Sequence, residues 1–192
     1  MPLDIVKFGT PVLRENGARV ELPLTAKTRQ LIADMFETMY AHKGIGLAAQ
    51  QVGVPLQLTV IDVRGATDRP STLELNGKSS DPDEFMPLVL INPEVTAVGD
   101  PVTGAEGCLS FPEIFADISR PESVDVKAHN EHGKVIKFRC GGLLARAVQH
   151  EVDHLHGILF IDRMDKQTKA ELKAELDDLQ AETKAARKRA AS

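Results

Sequence analysis

An α+β domain is the fold class this sequence predicts, and three patterns predict it. A helical period runs from Thr25 to Tyr40. Short β-branched runs fill the middle of the chain, and helical spacing returns after Gly141-Gly142. The expected arrangement is short β-sheets, antiparallel or mixed, packed around a central helix. An N-terminal helix precedes it and a charged C-terminal helix follows.

Each element has its own warrant. Leu31, Ile32, Met35, Phe36, Met39 and Tyr40 recur in pairs every four residues, with Pro23 just before the segment. This first amphipathic helix should stop near His42-Lys43-Gly44, where a basic last turn meets a glycine. Gly44 to Gly53 reads as a glycine-rich loop, and Leu56 to Val63 as a strand. Residues 65–87 are rich in Ser, Asp, Gly and Pro and read as a long exposed loop within the domain. Leu88-Val89-Leu90-Ile91 is the next strand, ended by Asn92-Pro93, and Glu94 to Val98 is a further one. Ser123 to Ala128 and Lys134 to Arg139 form a hairpin around Asn130-Glu131-His132-Gly133. Leu143 to Leu155 is the central helix, with Leu144, Val148 and Val152 in one row. Lys166 to Ala190 is a charged helix with one apolar stripe of Leu172, Leu176 and Leu179. Its basic end holds Lys184, Arg187, Lys188 and Arg189.

Composition narrows the class of function. At 192 residues, with 42% apolar and 27% charged residues, the chain is globular rather than disordered. A net charge of −5 argues against a chain that coats nucleic acid, so DNA is not an expected partner. No apolar run is long enough for a membrane span. Met1-Pro2-Leu3-Asp4-Ile5 lacks the basic and apolar regions of a signal peptide. A cytoplasmic protein is expected, so Cys108 and Cys140 read as ligand, nucleophile or packing rather than as a disulfide.

The strongest chemical signal is His150-Glu151-Val152-Asp153-His154. Imidazoles at i and i+4 lie one turn apart on one helix face. Such a pair can chelate a divalent cation, and the adjacent Glu151 can take a proton from water that the cation activates. The central helix is therefore a metal-ligand helix. The plainer reading is two surface histidines on a charged helix.

A catalytic cation needs a third protein ligand and an open position. The extended motif with a third histidine matches through Gly157 and fails at Phe160. His156 points to another face. Glu171 and Glu175 sit in a helix studded with charge, where a solvated surface role is the default. Cys108, in Glu106-Gly107-Cys108-Leu109-Ser110, would complete a Cys-His-His site. It could instead be a histidine-activated nucleophile, which leaves the histidine spacing unexplained. Gly44-Ile45-Gly46 and Ala49 superficially match a dinucleotide-binding turn, but a helix precedes them and a strand follows, the reverse of what that turn requires. Cys140 reads as a buried structural thiol. His42, His129, His132 and His156 read as solvated or capping residues. Asp153 either supports a ligand from behind or pairs with an arginine.

Gly44-Ile45-Gly46-Leu47-Ala48-Ala49-Gln50-Gln51, Glu106-Gly107-Cys108-Leu109-Ser110 and Gln149-His150-Glu151-Val152-Asp153-His154 resemble the three signature motifs of bacterial peptide deformylases, in the family's order. The resemblance runs from the first helix to about Ile161. Gln50 departs from it, standing where proline is common, and the loop 65–87 looks long.

The resemblance implies a single catalytic metallohydrolase domain at 1–165, with 166–192 as its charged C-terminal helix. It implies removal of the formyl group from N-formylmethionyl nascent peptides. By motif position, Cys108, His150 and His154 would hold the metal, and Glu151 would be general base and then general acid. The Gln51 amide and the Leu109 backbone N–H would hold the developing oxyanion. One divalent ion per chain is implied, iron(II) natively, with zinc, nickel or cobalt able to replace it. Work on nascent chains implies a ribosome contact through the C-terminal helix. The methionine side chain needs an apolar pocket, which Ile45, Leu143 and Ala147 can line, with Gly46 as a further substrate contact. Arg146 lies one helical step away. A monomer is the expected state, since no apolar heptad stands out. A metal-holding binding module and a metallopeptidase that cuts internal bonds are the competing readings. Glu151 argues against the first, since a structural site needs no base, and Phe160 against the second.

Overall fold

The computed structural model describes residues 2–190. Met1, and Ala191 and Ser192 at the close of the charged tail, lie outside the described residues.

Helix α1, Ala26–Ala41, starts at Thr25, whose Oγ1 accepts from the Thr28 N–H at 3.1 Å. It buries Ile32, Met35 and Met39 and stops at His42, where expected, but His42 and Lys43 lie beyond its last turn, and Lys43 rather than Gly44 takes the left-handed conformation, φ 55. The glycine-rich loop that follows is more ordered than expected. It holds a short, fully buried strand β1, Gly46–Ala48, and a 3-10 turn at Ala49–Val52. Strand β2, Leu58–Ile61, lies inside the expected run.

The expected loop 65–87 needs correction. It contains strands β3, Ser71–Leu75, and β4, Lys78–Ser80, and a one-turn helix α2, Pro82–Phe85. Residues 64–87 thus form a folded arm. β4 is the edge strand and β3 lies between it and β7, and only Leu73 among their residues is buried.

Two long strands replace the short ones expected next. Strand β5, Leu88–Cys108, has 21 residues and β6, Phe111–His129, has 19. Asn92-Pro93 bends β5 rather than ending it, for the register with β6 shifts between Ile91 and Glu94. Asn92 takes φ 50 and ties itself to Val20, whose N–H and C=O it bonds at 2.8 and 2.9 Å. Strand β7, Val135–Gly141, completes the hairpin expected around Asn130 to Gly133.

All seven strands pair antiparallel in one sheet, ordered β1-β2-β5-β6-β7-β3-β4. Helix α3, Gly142–Leu155, packs Leu143, Leu144 and Val148 into a core with Ile61, Leu90 and Val126 from the sheet. A second core lies between α1 and β1–β2. The single C-terminal helix expected over 166–190 is two, α4, Lys166–Glu171, and α5, Lys173–Ala190, broken at Leu172. Their leucine stripe joins a third core with Phe111, Ile118 and Phe160. Among the described residues no helix is long and apolar enough to cross a membrane.

The start of α3 is held from outside. Gly141, at its N-cap, has no side chain to bond the first free N–H groups. The arm provides the acceptors. Pro70 O takes the Leu143 N–H at 3.1 Å, and Ser71 Oγ takes the Leu144 N–H at 3.0 Å. Gly142 adopts φ +64, and a Cβ there would collide with Pro70 O. That is the close approach its glycine permits.

Candidate metal centre

Helix α3 and the end of β5 build the site between them. The helical period sets His150 and His154 a turn apart, with ring centroids 5.1 Å from each other. Strand β5 ends at Cys108, and the chain turns through Leu109 and Ser110 into β6. This delivers Cys108 Sγ to 3.3 Å from His154 Nε2. One ligand atom from each of Cys108, His150 and His154 lies within 4.8 Å of the others, the one such group among the described residues. Two imidazoles and a thiol at this spacing fit a divalent cation of zinc or iron(II) type.

The histidines are oriented by their surroundings. Glu106 Oε2 lies 2.9 Å from His150 Nδ1 and accepts a hydrogen bond from it, which leaves Nε2 as the nitrogen available to a cation. Glu106 is itself clamped. Arg120 bonds both its oxygens, at 2.6 and 3.0 Å, and Arg146 bonds one at 2.8 Å. Arg120 also reaches Asp153 at 2.8 Å, which pairs in turn with Arg163 at 2.6 Å. A chain of buried charge therefore runs from the ligand His150 towards the surface.

These contacts explain the titration behaviour. Burial would raise the Glu106 carboxyl, but hydrogen bonds from His150 and Arg120 hold it down to about 2. Burial would lower His150, yet Cys108 and Glu106 hold it up to about 10. His154 is driven well below its ordinary value, first by burial and then by the charge of His150.

Glu151 lies beside the ligands, 5% exposed, and its Oε2 is buried without a protein partner. Burial pushes it up to about 7, in the range that suits a proton carrier at neutral pH. It packs directly on β1, where a Cβ on Gly46 would stand 2.8 Å from the Glu151 carboxyl carbon. Gly46 is thus small because the glutamate needs its space. Gln51 Oε1 accepts from the Ala48 N–H at 2.8 Å, which turns its amide NH2 towards Cys108 Sγ and Ser110 Oγ, both at 3.4 Å.

A cavity of about 510 Å³ opens over these groups. Ile45, Gly46, Gln51, Cys108, Leu109, Leu143, Ala147, His150 and Glu151 all line it, so the sequence-derived site residues gather at one place. His154 lies deeper, 1% exposed behind Cys108. The rival third ligands are elsewhere. His156 Nδ1 contacts Asn16 Oδ1 at 3.2 Å, Phe160 is buried against Phe111, and Glu171 and Glu175 are exposed. Cys140 is a buried structural thiol, pushed up to about 12 by burial. Asp153 pairs with arginines.

Three residues escaped the sequence reading. Glu106 was only part of a motif, and Arg120 had no reading at all. Arg146 is not a plain pocket wall, because its guanidinium is spent on Glu106 and on the carbonyls of Val102 and Ile118 at 2.7 and 2.8 Å.

Comparison with known proteins identifies the family. Residues 2–170 match the family model described as polypeptide deformylase. A peptide deformylase of Opitutus terrae is 45% identical over 190 residues, 98% of each chain. One of Methylacidiphilum infernorum is 42% identical over 179 residues, 93% of each chain. A solved peptide deformylase from Synechococcus elongatus aligns with a TM-score of 0.75 at 40% identity, covering 90% of this chain and 85% of that one. Another from Legionella pneumophila aligns at 0.77 and 33% identity, over 94% and 96%.

Proposed function

Because this chain belongs to the polypeptide deformylase family, which removes the N-formyl group from nascent polypeptides, we propose a role for each residue of its site. The observation that carries the reading is the convergence of Cys108, His150 and His154 beside a buried Glu151 and an aimed Gln51 amide.

Cys108, His150 and His154 hold one divalent ion. Bound there, such an ion lowers the pKa of water towards neutrality and draws charge from a carbonyl oxygen. Glu151 takes the proton as the water oxygen attacks the formyl carbon. It returns that proton to the nitrogen as the C–N bond breaks, so formate and a free amine leave. The Gln51 amide and the Leu109 N–H face the oxygen that gains charge, and losing one such donor costs about 3 kcal/mol in the barrier. Ile45, Leu143 and Ala147 receive the methionine side chain, with Gly46 beside them. The formyl carbon carries only hydrogen, so the tight site admits it and excludes acetyl. Equal rates on formyl and acetyl peptides would sink that steric claim.

The soft thiolate suits zinc or iron(II) better than magnesium or calcium, and family membership points to iron(II) as the native ion, with zinc, nickel or cobalt able to occupy the site. The catalytic unit is 1–165, and 166–192 is its C-terminal helix. The protein works as a cytoplasmic monomer, and the exposed basic end of α5 contacts the ribosome. Deleting 184–192 should weaken ribosome co-sedimentation and leave short-peptide activity intact. Unchanged co-sedimentation counts against that contact.

The deciding experiment is formate release from a short N-formylmethionyl peptide by anaerobically purified protein. Glu151→Gln with its metal retained should lose about 100- to 10,000-fold in kcat. Full activity in that variant overturns the assignment of the base.

A further inference from the structure

A second cavity, of about 560 Å³, adjoins the first. Both are lined by Arg69, Ala105, Leu143 and Arg146, so these residues form the partition between them. Three of the four are fixed. Ala105 is paired to Asp117 within the β5–β6 ladder, Leu143 starts α3, and Arg146 is locked on Glu106 and three carbonyls.

Arg69 differs. It comes from the arm, is half-buried, and reaches the partition through one hydrogen bond, Nη1 to Ala105 O at 3.2 Å. Among the described residues it forms no ion pair. Its backbone is held firmly, because the next residue, Pro70, accepts from the Leu143 N–H. An anchored base with a loosely held guanidinium is a wall that can be opened.

We propose that Arg69 is a specificity-determining residue, the end wall that sets how long a first side chain the methionine pocket accepts. The proposal rests on Leu143, Ile45 and Ala147 forming that pocket. A side chain of methionine's length ends against the guanidinium. A longer linear chain must push it off Ala105 O and enter the second cavity, whose Thr72, Thr103 and Ser123 hydroxyls offer an alkyl chain little reward. The arm would thus contribute length selectivity to a site built otherwise by α3, β1 and β5.

The test uses the metal-loaded full chain and N-formyl peptides whose first residue carries linear alkyl side chains of increasing length. The readout is the ratio of kcat/KM for each to that for formylmethionine. Wild type should fall off steeply beyond methionine's length. Arg69→Ala should raise the ratio for side chains two to four carbons longer by at least tenfold, mostly through KM. Arg69→Gln, a milder truncation, should raise it in the same direction. Adding Thr103→Trp to Arg69→Ala should remove the gain by filling the second cavity. An unchanged length profile in both Arg69 variants overturns the proposal, as does a gain that survives Thr103→Trp. Ala147→Met separates this failure from failure of the pocket itself. If Ala147→Met leaves formylmethionine turnover untouched, the pocket assignment has failed. If it lowers that turnover while the Arg69 variants keep the wild-type profile, the end wall alone has failed.

Discussion

Helix α3 and the arm of residues 64–87 meet at Pro70 and Ser71, and they serve the molecule in opposite ways. The helix carries its chemistry in its own period. His150, Glu151 and His154 are neighbours because 3.6 residues make a turn. The arm supplies none of the candidate metal ligands, which come from α3 and the end of β5. Its contribution comes from where pairing with β7 places it, against the first turn of the helix and the rim of the cavity. Local spacing is therefore enough to recognise a ligand pair, whereas a supporting contact needs the fold. Ligand-side changes should accordingly reach metal binding, and arm-side changes should reach stability.

The largest effect is expected at the strand end. Cys108→Ser exchanges a soft thiolate for a hydroxyl that is a poor ligand. Metal retention after dialysis against a chelator should fall by more than the 10- to 100-fold that a supporting residue typically costs. Wild-type retention in this variant would remove Cys108 from the ligand set. Glu106→Gln comes next. It keeps the shape but lowers the basicity of the group behind His150, and it leaves Arg120 and Arg146 facing an uncharged amide. Metal affinity should drop about 10- to 100-fold. The melting temperature should fall as well, since a broken buried ion pair costs about 3–5 kcal/mol. Chelator competition and calorimetry check the two separately. An unchanged affinity would mean that His150 is oriented without Glu106.

What the sequence made legible follows the same division. The α+β class, the first helix, α3 and the β6–β7 hairpin were readable because each rests on a local period or turn. Gln51 and Leu109 were reachable only through family motifs, and Cys108 was one candidate third ligand among several until those motifs were read, since nothing local says that the end of β5 faces α3. Glu106 and Arg120 are 14 residues apart and meet across the β5–β6 hairpin. Their pairing appears only once Val102 is known to sit opposite Arg120. Asn92-Pro93 looked like a strand end because a bulge and a stop share the same residues. The arm looked like a loop because β3 is only five residues long and β4 three, so the alternation of Leu73 and Leu75 towards the core is too brief to stand out from the polar residues around it.

Gly142→Ala turns the comparison on the contact itself. The backbone is at φ +64, and the new methyl meets Pro70 O. A non-glycine residue in that conformation costs about 1–3 kcal/mol before any collision is counted. Urea unfolding should show at least that loss. No loss would mean that the arm yields freely and is not a firm support for α3.

The smallest change isolates the arm's contribution. Ser71→Ala removes one acceptor from the first turn of α3 and leaves Pro70 O and the β3–β7 pairing in place. Loss of a helix cap typically costs about 1 kcal/mol. The effect should be local as well as small. Amide exchange at Leu144 should quicken, while the amides of His150 and His154, in later turns, keep their protection. Metal affinity should stay at the wild-type value, because His150 is oriented by Glu106 and Cys108 by the end of β5 rather than by the helix start. A Ser71→Ala protein that binds metal more weakly would show that α3 transmits disorder along its length. The division between a helix that carries the ligands and an arm contact that only supports it would then fail, and the Pro70–Ser71 contact would take part in metal binding.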